Sequence, residues 1–373
     1  MQTLSDTVRQ TVSADRKQTA LDRLPLLLAA FGGFVLLACL ALRACSNPLG
    51  QDQEWYLYAA RLILSGVTPY GPQLVETNPP PILWFSELPS WVAHSLAITP
   101  ARSFELLVCL LIFGSGGWSF RLLRRTRMRA AAGFPAAFAC AATAALLSPA
   151  ILTYEDFGQR EHLFVILVLP FLLVRVASTE AIPQVERAAL GVMAGVAVCL
   201  KPQELLVLVA AEFFVVLTAR SLRRLFDPEI LGLLLTGIAC AAAIRWLTPL
   251  YLKQVLPLLL KTYWAYGQSS AFTLAVQILP LYFAILITVA ILWLLQRQLR
   301  GALMSAGFLT CSTGASFAYE AQHTTWSYHL LPCRSFLLLA TAWLVIEVCA
   351  GLASRLAGKQ PVRLAVSLAF ALL

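Results

Sequence analysis

Apolar residues are gathered into ten long runs separated by short polar or charged segments. The runs lie at about residues 24–43, 104–120, 131–152, 163–179, 187–200, 203–219, 230–250, 271–296, 302–318 and 330–352. A membrane-spanning helix needs about 20 predominantly apolar residues. The pattern therefore predicts an all-α polytopic membrane protein with about ten transmembrane helices. A further apolar stretch, residues 362–373, begins an eleventh span that the chain end truncates, or lies along the membrane.

Two features of the pattern refine this topology. Lys201-Pro202 interrupts the apolar sequence between 187 and 219, which we interpret as a tight helical hairpin. Residues 82–98 are apolar but contain Glu87 and Pro89, so they are predicted to lie in the membrane interface and not to span it. With a second interfacial helix at 52–65, they form the first external loop, residues 44–98, of one transmembrane domain covering 1–373.

The distribution of charge predicts the orientation. The formal net charge is +9, and Lys and Arg accumulate in cytoplasmic loops of membrane proteins. With 82–98 in the interface, the basic clusters all fall on the side of the polar N-terminal segment 1–23, which is therefore cytoplasmic. These clusters are Arg121, Arg124, Arg125, Arg127 and Arg129; Arg220, Arg223 and Arg224; Arg297 and Arg300; and Arg355, Lys359 and Arg363. Because they are dispersed over separate loops, a nucleic-acid partner is not expected.

Composition excludes other classes. Hydrophobic residues make up 59% of the chain and charged residues 13%, whereas soluble domains have about 45–50% and about 25%. A soluble globular domain and a disordered chain are excluded. The sequence also lacks a Gly-rich phosphate loop, zinc-type cysteine spacing and a nucleophile elbow.

The first external loop holds candidate catalytic carboxylates. Asp52 and Glu54 begin the predicted helix 52–65. Asp52 suits two interpretations, a helix cap and a general base held at the membrane surface. Glu54 beside it is a candidate to orient a substrate or to bind a cation. Further along the loop, Tyr70 and Asn78 are candidate substrate-binding residues.

The second external loop is dense in ionisable residues: Glu155, Asp156, Arg160, Glu161 and His162. Such a cluster is either a solvated membrane edge or a set of groups that pair with one another or with a ligand. The acids make Glu155 and Asp156 catalytic candidates, and Arg160, Glu161 and His162 substrate-binding candidates. Glu155, Asp156 and Glu161 are also candidate oxygen ligands for a divalent cation, although their spacing is not specific for one.

Cations and aromatic residues of the other external segments are candidates for substrate binding. Lys201, Lys261 and Arg334 suit the phosphate of a lipid-linked substrate; snorkelling is the alternative for Lys201. Trp326 and Tyr328 either stack on a sugar ring or belong to an aromatic belt. His329 lies beside them at the start of a predicted span.

One series of motifs in the first loop is typical of a known superfamily. An acidic motif follows the first span, and then come an amphipathic helix, the turn Gly66-Val67-Thr68-Pro69-Tyr70, and Asn78-Pro79-Pro80 opening a second interfacial helix. The series resembles the GT-C integral membrane glycosyltransferases, in particular the branch of protein O-mannosyltransferases and lipid A aminoarabinose transferases. The resemblance covers roughly the first 165 residues. The chain has Asp52-Gln53-Glu54 where that branch has adjacent Asp-Glu.

The resemblance implies a GT-C-like fold and a sugar donor linked to a polyprenyl phosphate. It implies Asp52 as the base, with Glu155-Asp156 as the acidic stretch of the second loop. The expected enzyme transfers the sugar to a hydroxyl of a glycan, lipid or protein acceptor at the periplasmic face of a bacterial inner membrane, among membrane lipids. A transporter or flippase of a lipid-linked or anionic solute, and an oligosaccharide ligase or polymerase, are the alternatives.

Overall fold

The computed structural model describes residues 49–123, 125, 156–176, 182–262, 300–322 and 326–355. It also describes single positions at 34, 38, 272, 275, 279, 282, 283 and 286. The predicted segment 1–23, the run 131–152 and the stretch 362–373 lie outside these residues. So do most of the runs 24–43 and 271–296.

Ten α-helices account for most of the described residues, which contain no β-strand. They are α1 (Gln51–Leu64), α2 (Pro80–Leu96), α3 (Pro100–Leu123), α4 (Arg160–Val176), α5 (Gln184–Leu200), α6 (Leu205–Ala219), α7 (Pro228–Leu247), α8 (Leu256–Thr262), α9 (Arg300–Gln322) and α10 (Leu331–Arg355). The helical class predicted from the apolar runs is confirmed for this part of the chain.

Three helical segments of the described residues are long and apolar enough to cross a membrane. They are Pro100–Leu122, Pro202–Ala219 and Pro228–Leu247. The total of ten spans stays a prediction, as does the orientation of the chain.

Helices α1 and α2 occupy the segments predicted to be helical at 52–65 and 82–98. Gly66, with φ of +95°, ends α1, because the left-handed backbone conformation there favours glycine. Pro80 and Pro81 open α2, whose first positions need no backbone donor. The two helices pack against each other, and α2 also packs against α3. Their location in the membrane interface stays a prediction.

Helix α4 forms the centre of the described structure. Every residue from Arg160 to Val176 is buried, as expected for a helix that is apolar on all sides. It packs against α3 and α5, and to a smaller extent against α6, α9 and α10. This central position brings the polar residues at its N-terminal end into contact with several other elements.

Helices α5 and α7 approach very closely, and small residues make this possible. A Cβ atom added to Gly191 would lie 1.9 Å from the carbonyl oxygen of Glu229. A Cβ atom added to Gly232 would lie 2.4 Å from the carbonyl oxygen of Ala188. The helix ends before Lys201 as predicted. The hairpin interpretation is wrong, however, because the two helices on either side of Lys201 do not pack mainly on each other. Helix α5 packs mainly on α7 and α4, while α6 packs mainly on α9, because the glycine-lined face of α5 fits α7 more closely.

An ion-pair network joins the helices at the end of α4 opposite Arg160. The Arg175 guanidinium donates to Glu212 and lies 2.7 Å from Asp227 Oδ2 and 2.8 Å from Glu229 Oε1. Arg187 Nη2 lies 2.7 Å from the same Glu229 oxygen. Buried charges persist only when they are paired, so this network fixes the mutual positions of α4, α5, α6 and α7.

Candidate functional site

A cavity of about 1280 Å³ opens where α1, the N-terminal end of α4 and the Lys201 turn meet. One part of its wall is polar, with Asp52, Asn78, Asp156, Gln159, Arg160, Lys201 and Tyr328. The other part is largely apolar, with Val198, Ala241, Ile244, Leu252, Leu256 and Leu259 from α5, α7 and residues 251–262. The cavity thus has both polar and apolar lining.

Asp52 lies in the first turn of α1, whose N-cap is Gly50. Interpreting Asp52 itself as the helix cap is therefore wrong. Its carboxylate is nonetheless favoured there, because the helix dipole stabilises negative charge in the first turn. Gln159 Nε2 donates to Asp52 Oδ2 at 3.2 Å, which holds the carboxylate at the cavity wall.

The turn before α4 brings the second loop against α1. Gly158 has φ of +80°, and a Cβ there would lie 2.4 Å from the Phe104 ring, so both conformation and space require glycine. Gln53, buried in α1, donates from Nε2 to the Phe157 carbonyl at 3.1 Å. These contacts bring Asp156, Gln159 and Arg160 to the same cavity as Asp52.

Next to the cavity lies a cluster of buried ionisable groups, of which Lys201 also lines the cavity. Lys201 Nζ lies 2.5 Å from Glu161 Oε1, and His329 Nε2 lies 3.3 Å from the same oxygen. Glu161 and His329 are 0% exposed and Lys201 is 1% exposed. Burial lowers the pKa of Lys201 to about 8. Burial, reinforced by the charge of Lys201, lowers the pKa of His329 to about 3, so this imidazole is neutral at pH 7.

Glu76 organises the remainder of the first loop. Its Oε1 accepts from the Asn78 backbone amide at 2.7 Å and from Asn78 Nδ2 at 2.9 Å, and its Oε2 accepts from Trp55 Nε1. Tyr70 Oη donates to the Asn78 carbonyl at 2.7 Å. Asn78 is thereby held at the cavity wall.

Two aromatic residues of the predicted set also line the cavity. The rings of Trp326 and Tyr328 are stacked, with centroids 5.9 Å apart and an interplanar angle of 15°. Trp326 is 46% exposed, so part of its surface is available to a ligand.

The structure separates the other predicted residues from the cavity wall. Glu161, His162 and His329 are buried behind it, and His162 Nδ1 accepts from the Gly158 amide at 3.0 Å. Tyr70 is 3% exposed and acts through Asn78. Three more described candidates are not among the residues that line it: Glu54, Lys261 and Arg334. Glu155 lies outside the described residues.

The predicted divalent-cation ligands are not assembled in the described part of the chain, which contains no group of three His, Cys, Asp or Glu side chains suited to a metal. The Glu161 carboxylate instead pairs with Lys201. Glu155, the remaining candidate beside Asp156, lies outside the described residues.

Three residues of the site were not among the sequence-based candidates: Gln53, Glu76 and Gln159. Each is buried, and their hydrogen bonds link segments of the first and second loops or parts of the first loop. In the sequence, only their position beside charged residues could have identified the two glutamines as site residues. Gln53 separates two acids, and Gln159 lies between a glycine and an arginine in the dense charged loop.

Comparison with known proteins gives no relative: no protein-family model, no curated protein and no solved structure matches the chain.

Proposed function

We propose that this protein is a membrane glycosyltransferase. It takes a sugar from a polyprenyl-phosphate-linked donor and transfers it to an acceptor hydroxyl at the external face of a bacterial inner membrane. The observation that carries the proposal is that Asp52, Arg160 and Lys201 line one cavity that also has a largely apolar part.

The shape and polarity of the cavity suit an amphiphilic donor. The sugar and phosphate would occupy the polar part, next to Asn78 and the Trp326-Tyr328 pair, whose rings suit contact with a sugar face. The prenyl chain would lie along the apolar wall formed by α5, α7 and residues 251–262. Ligand cavities commonly combine apolar walls with a few fixed polar groups in this way.

Asp52 would act as the general base. The acceptor oxygen attacks the anomeric carbon of the sugar, and its proton passes to the Asp52 carboxylate. The bond between the anomeric carbon and the phosphate oxygen breaks, and the polyprenyl phosphate leaves with the electron pair. A single displacement of this kind inverts the anomeric centre.

Arg160 and Lys201 would stabilise the charge that develops on the leaving phosphate. Arg160 is 7% exposed and Lys201 is 1% exposed, so both cations act in surroundings of low polarity, where fixed charges have their strongest effect. A guanidinium can also bind two phosphate oxygens at once. Lys201 is held in place by Glu161, which limits the movement of its ammonium group.

The test is an assay of the full chain in lipid nanodiscs with a radiolabelled polyprenyl-phosphate hexose. We expect release of free polyprenyl phosphate, with the label recovered as free hexose or on an added acceptor. The proposal would be overturned if the donor stays intact, so that nanodiscs with the protein release no more polyprenyl phosphate than empty nanodiscs.

Parallel assays separate the alternative activities. In sealed liposomes, movement of intact donor between leaflets without cleavage would identify a flippase. With a lipid-linked oligosaccharide, transfer of the whole glycan and no transfer of a single sugar would identify a ligase or polymerase.

A further inference from the structure

A second, smaller cavity of about 660 Å³ lies on another side of α1. Helix α1 contributes Gln51, Asp52, Glu54, Trp55, Leu57, Tyr58 and Arg61, and the other lining residues are Thr99, Pro100 and Ala101, around the start of α3. Gln51 and Asp52 line this cavity and the large one. The proposed base is therefore accessible from both.

The exposed residues of the α1 wall share one helix face. Residues 51, 54, 55, 58 and 61 recur at helical spacing and are exposed, whereas 53, 56, 57, 59 and 60 are buried. Trp55 and Tyr58 share this face with two charged residues, Glu54 and Arg61.

The aromatic rings on this face have fixed neighbours. Trp55 is 40% exposed and Tyr58 46% exposed, and their ring centroids lie 5.7 Å apart. The indole Nε1 donates to the Glu76 carboxylate, which sets the orientation of the Trp55 ring. Arg61 Cζ lies 5.9 Å from the centroid of the Tyr58 ring. The rings thus form an open platform flanked by polar groups.

This combination of groups suits a carbohydrate. Aromatic faces cover the apolar C–H surface of a sugar, while carboxylates accept hydrogen bonds from hydroxyls and a guanidinium donates to ring or hydroxyl oxygens. The ionisable side chains of the wall are Asp52, Glu54 and Arg61, so acids outnumber bases. A polyanionic ligand is disfavoured by that balance, and the open aromatic faces beside hydrogen-bonding groups suit the C–H surface and hydroxyls of a neutral saccharide.

We infer that the small cavity binds a neutral saccharide, and that this saccharide presents the acceptor hydroxyl to Asp52. The acceptor role rests on the proposed glycosyltransferase function, whereas saccharide binding rests on the cavity itself. Donor and acceptor would then approach the same carboxylate from two cavities, and the hydroxyl proton would pass to Asp52 as the new glycosidic bond forms.

Binding is measured on the full chain in lipid nanodiscs by saturation-transfer difference NMR, with no donor present. The probes are three neutral hexasaccharides, made of α-1,4-glucose, β-1,4-glucose and β-1,4-N-acetylglucosamine. We expect at least one of them to bind. Tyr58→Ala should weaken that binding about tenfold, because an aromatic contact contributes up to about 1.5 kcal/mol and this energy corresponds to a tenfold change in affinity. Tyr58→Phe, which keeps the ring, should retain it.

Trp55 gives a second test with a matched control. Trp55→Ala should weaken saccharide binding at least as much as Tyr58→Ala. Trp91 of α2 is 60% exposed and lines neither cavity, so Trp91→Ala should leave binding unchanged. Equal losses in the two tryptophan variants, or no binding of any probe to the unmodified chain, would overturn the inference.

An aromatic belt at the membrane surface would give a different result. The test uses a variant in which Trp55 is the only tryptophan, the others being replaced by Phe. If Trp55 belongs to such a belt, brominated lipid chains quench its fluorescence and a hexasaccharide does not reduce the quenching. That result overturns the saccharide site. Failure of donor cleavage with intact saccharide binding would instead overturn the glycosyltransferase proposal and the acceptor role, and would leave the saccharide site standing.

Discussion

Gln159 donates a hydrogen bond from Nε2 to Asp52 Oδ2 across 107 residues of sequence, at 3.2 Å. Gln159 is 5% exposed, so its amide is held in place by the surrounding packing. This contact holds the Asp52 carboxylate, which lines both cavities, against the residue that precedes the central helix α4.

Asp52→Asn is expected to abolish sugar transfer and leave the fold intact. The amide keeps the shape of the side chain but cannot accept a proton, and general-base catalysis contributes a factor of about 10²–10⁴ in rate. The measurement is kcat for donor turnover, with thermal unfolding as the check on folding. Glu87→Gln, at a half-buried carboxylate of α2 outside both cavities, is the control and should keep full activity.

Gln159→Ala is expected to lower kcat about 10-fold to 100-fold, because a hydrogen bond to a charged group contributes about 1.5–3 kcal/mol. Gln159 also lines the large cavity, in which the donor is proposed to bind, so KM for the donor is measured alongside. A positioning role predicts that kcat falls more than KM rises. A rise in KM with unchanged kcat would show that Gln159 binds donor and does not position Asp52.

Donor binding is expected to weaken as the pH rises above about 8. Burial lowers the pKa of Lys201 to about 8, so its positive charge is present below that pH and lost above it, and at pH 9 about one tenth of the molecules keep it. KM for the donor should therefore rise between pH 7 and pH 9. Lys201→Arg should flatten this rise, because a guanidinium stays protonated; the same slope in both proteins would contradict the prediction.

Glu161→Gln is expected to destabilise the protein by about 3–5 kcal/mol, because it leaves the Lys201 ammonium buried without its partner. The double variant Glu161→Gln/Lys201→Met removes both charges and should recover most of this loss. Thermal unfolding in detergent micelles measures both. Additive losses in the double variant would mean that the 2.5 Å pair is not energetically coupled.

Gly191→Ala is expected to lower the thermal midpoint, because the added methyl group meets the backbone oxygen of Glu229 at 1.9 Å and no side chain can move aside. Overpacking of this kind costs about 1–3 kcal/mol. Gly114→Ala in α3 is the matched control, since nothing lies within 4 Å of its added Cβ. Alanine is the better helix former by about 0.5–1 kcal/mol, so that variant should be no less stable than the unmodified chain.

The sequence by itself determined much of the local structure. Apolar runs and proline positions predicted the helical class, the break at Lys201 and the helices of the first loop, because helix formation depends on neighbouring residues. The same pattern identified Asp52, Asp156, Arg160, Lys201 and Tyr328 as candidates, and these residues all line the large cavity.

Only the tertiary structure decided how these residues are used. Glu161, which does not line the large cavity, pairs with Lys201, and Gln159, which no motif singles out, reaches Asp52. Contacts between residues far apart in the chain depend on how helices pack, and hydrophobic periodicity carries no information about which polar groups will meet. The two cavities on α1 follow from the same cause, since the sequence gives the amphipathic face of a helix but not what packs on each side of it.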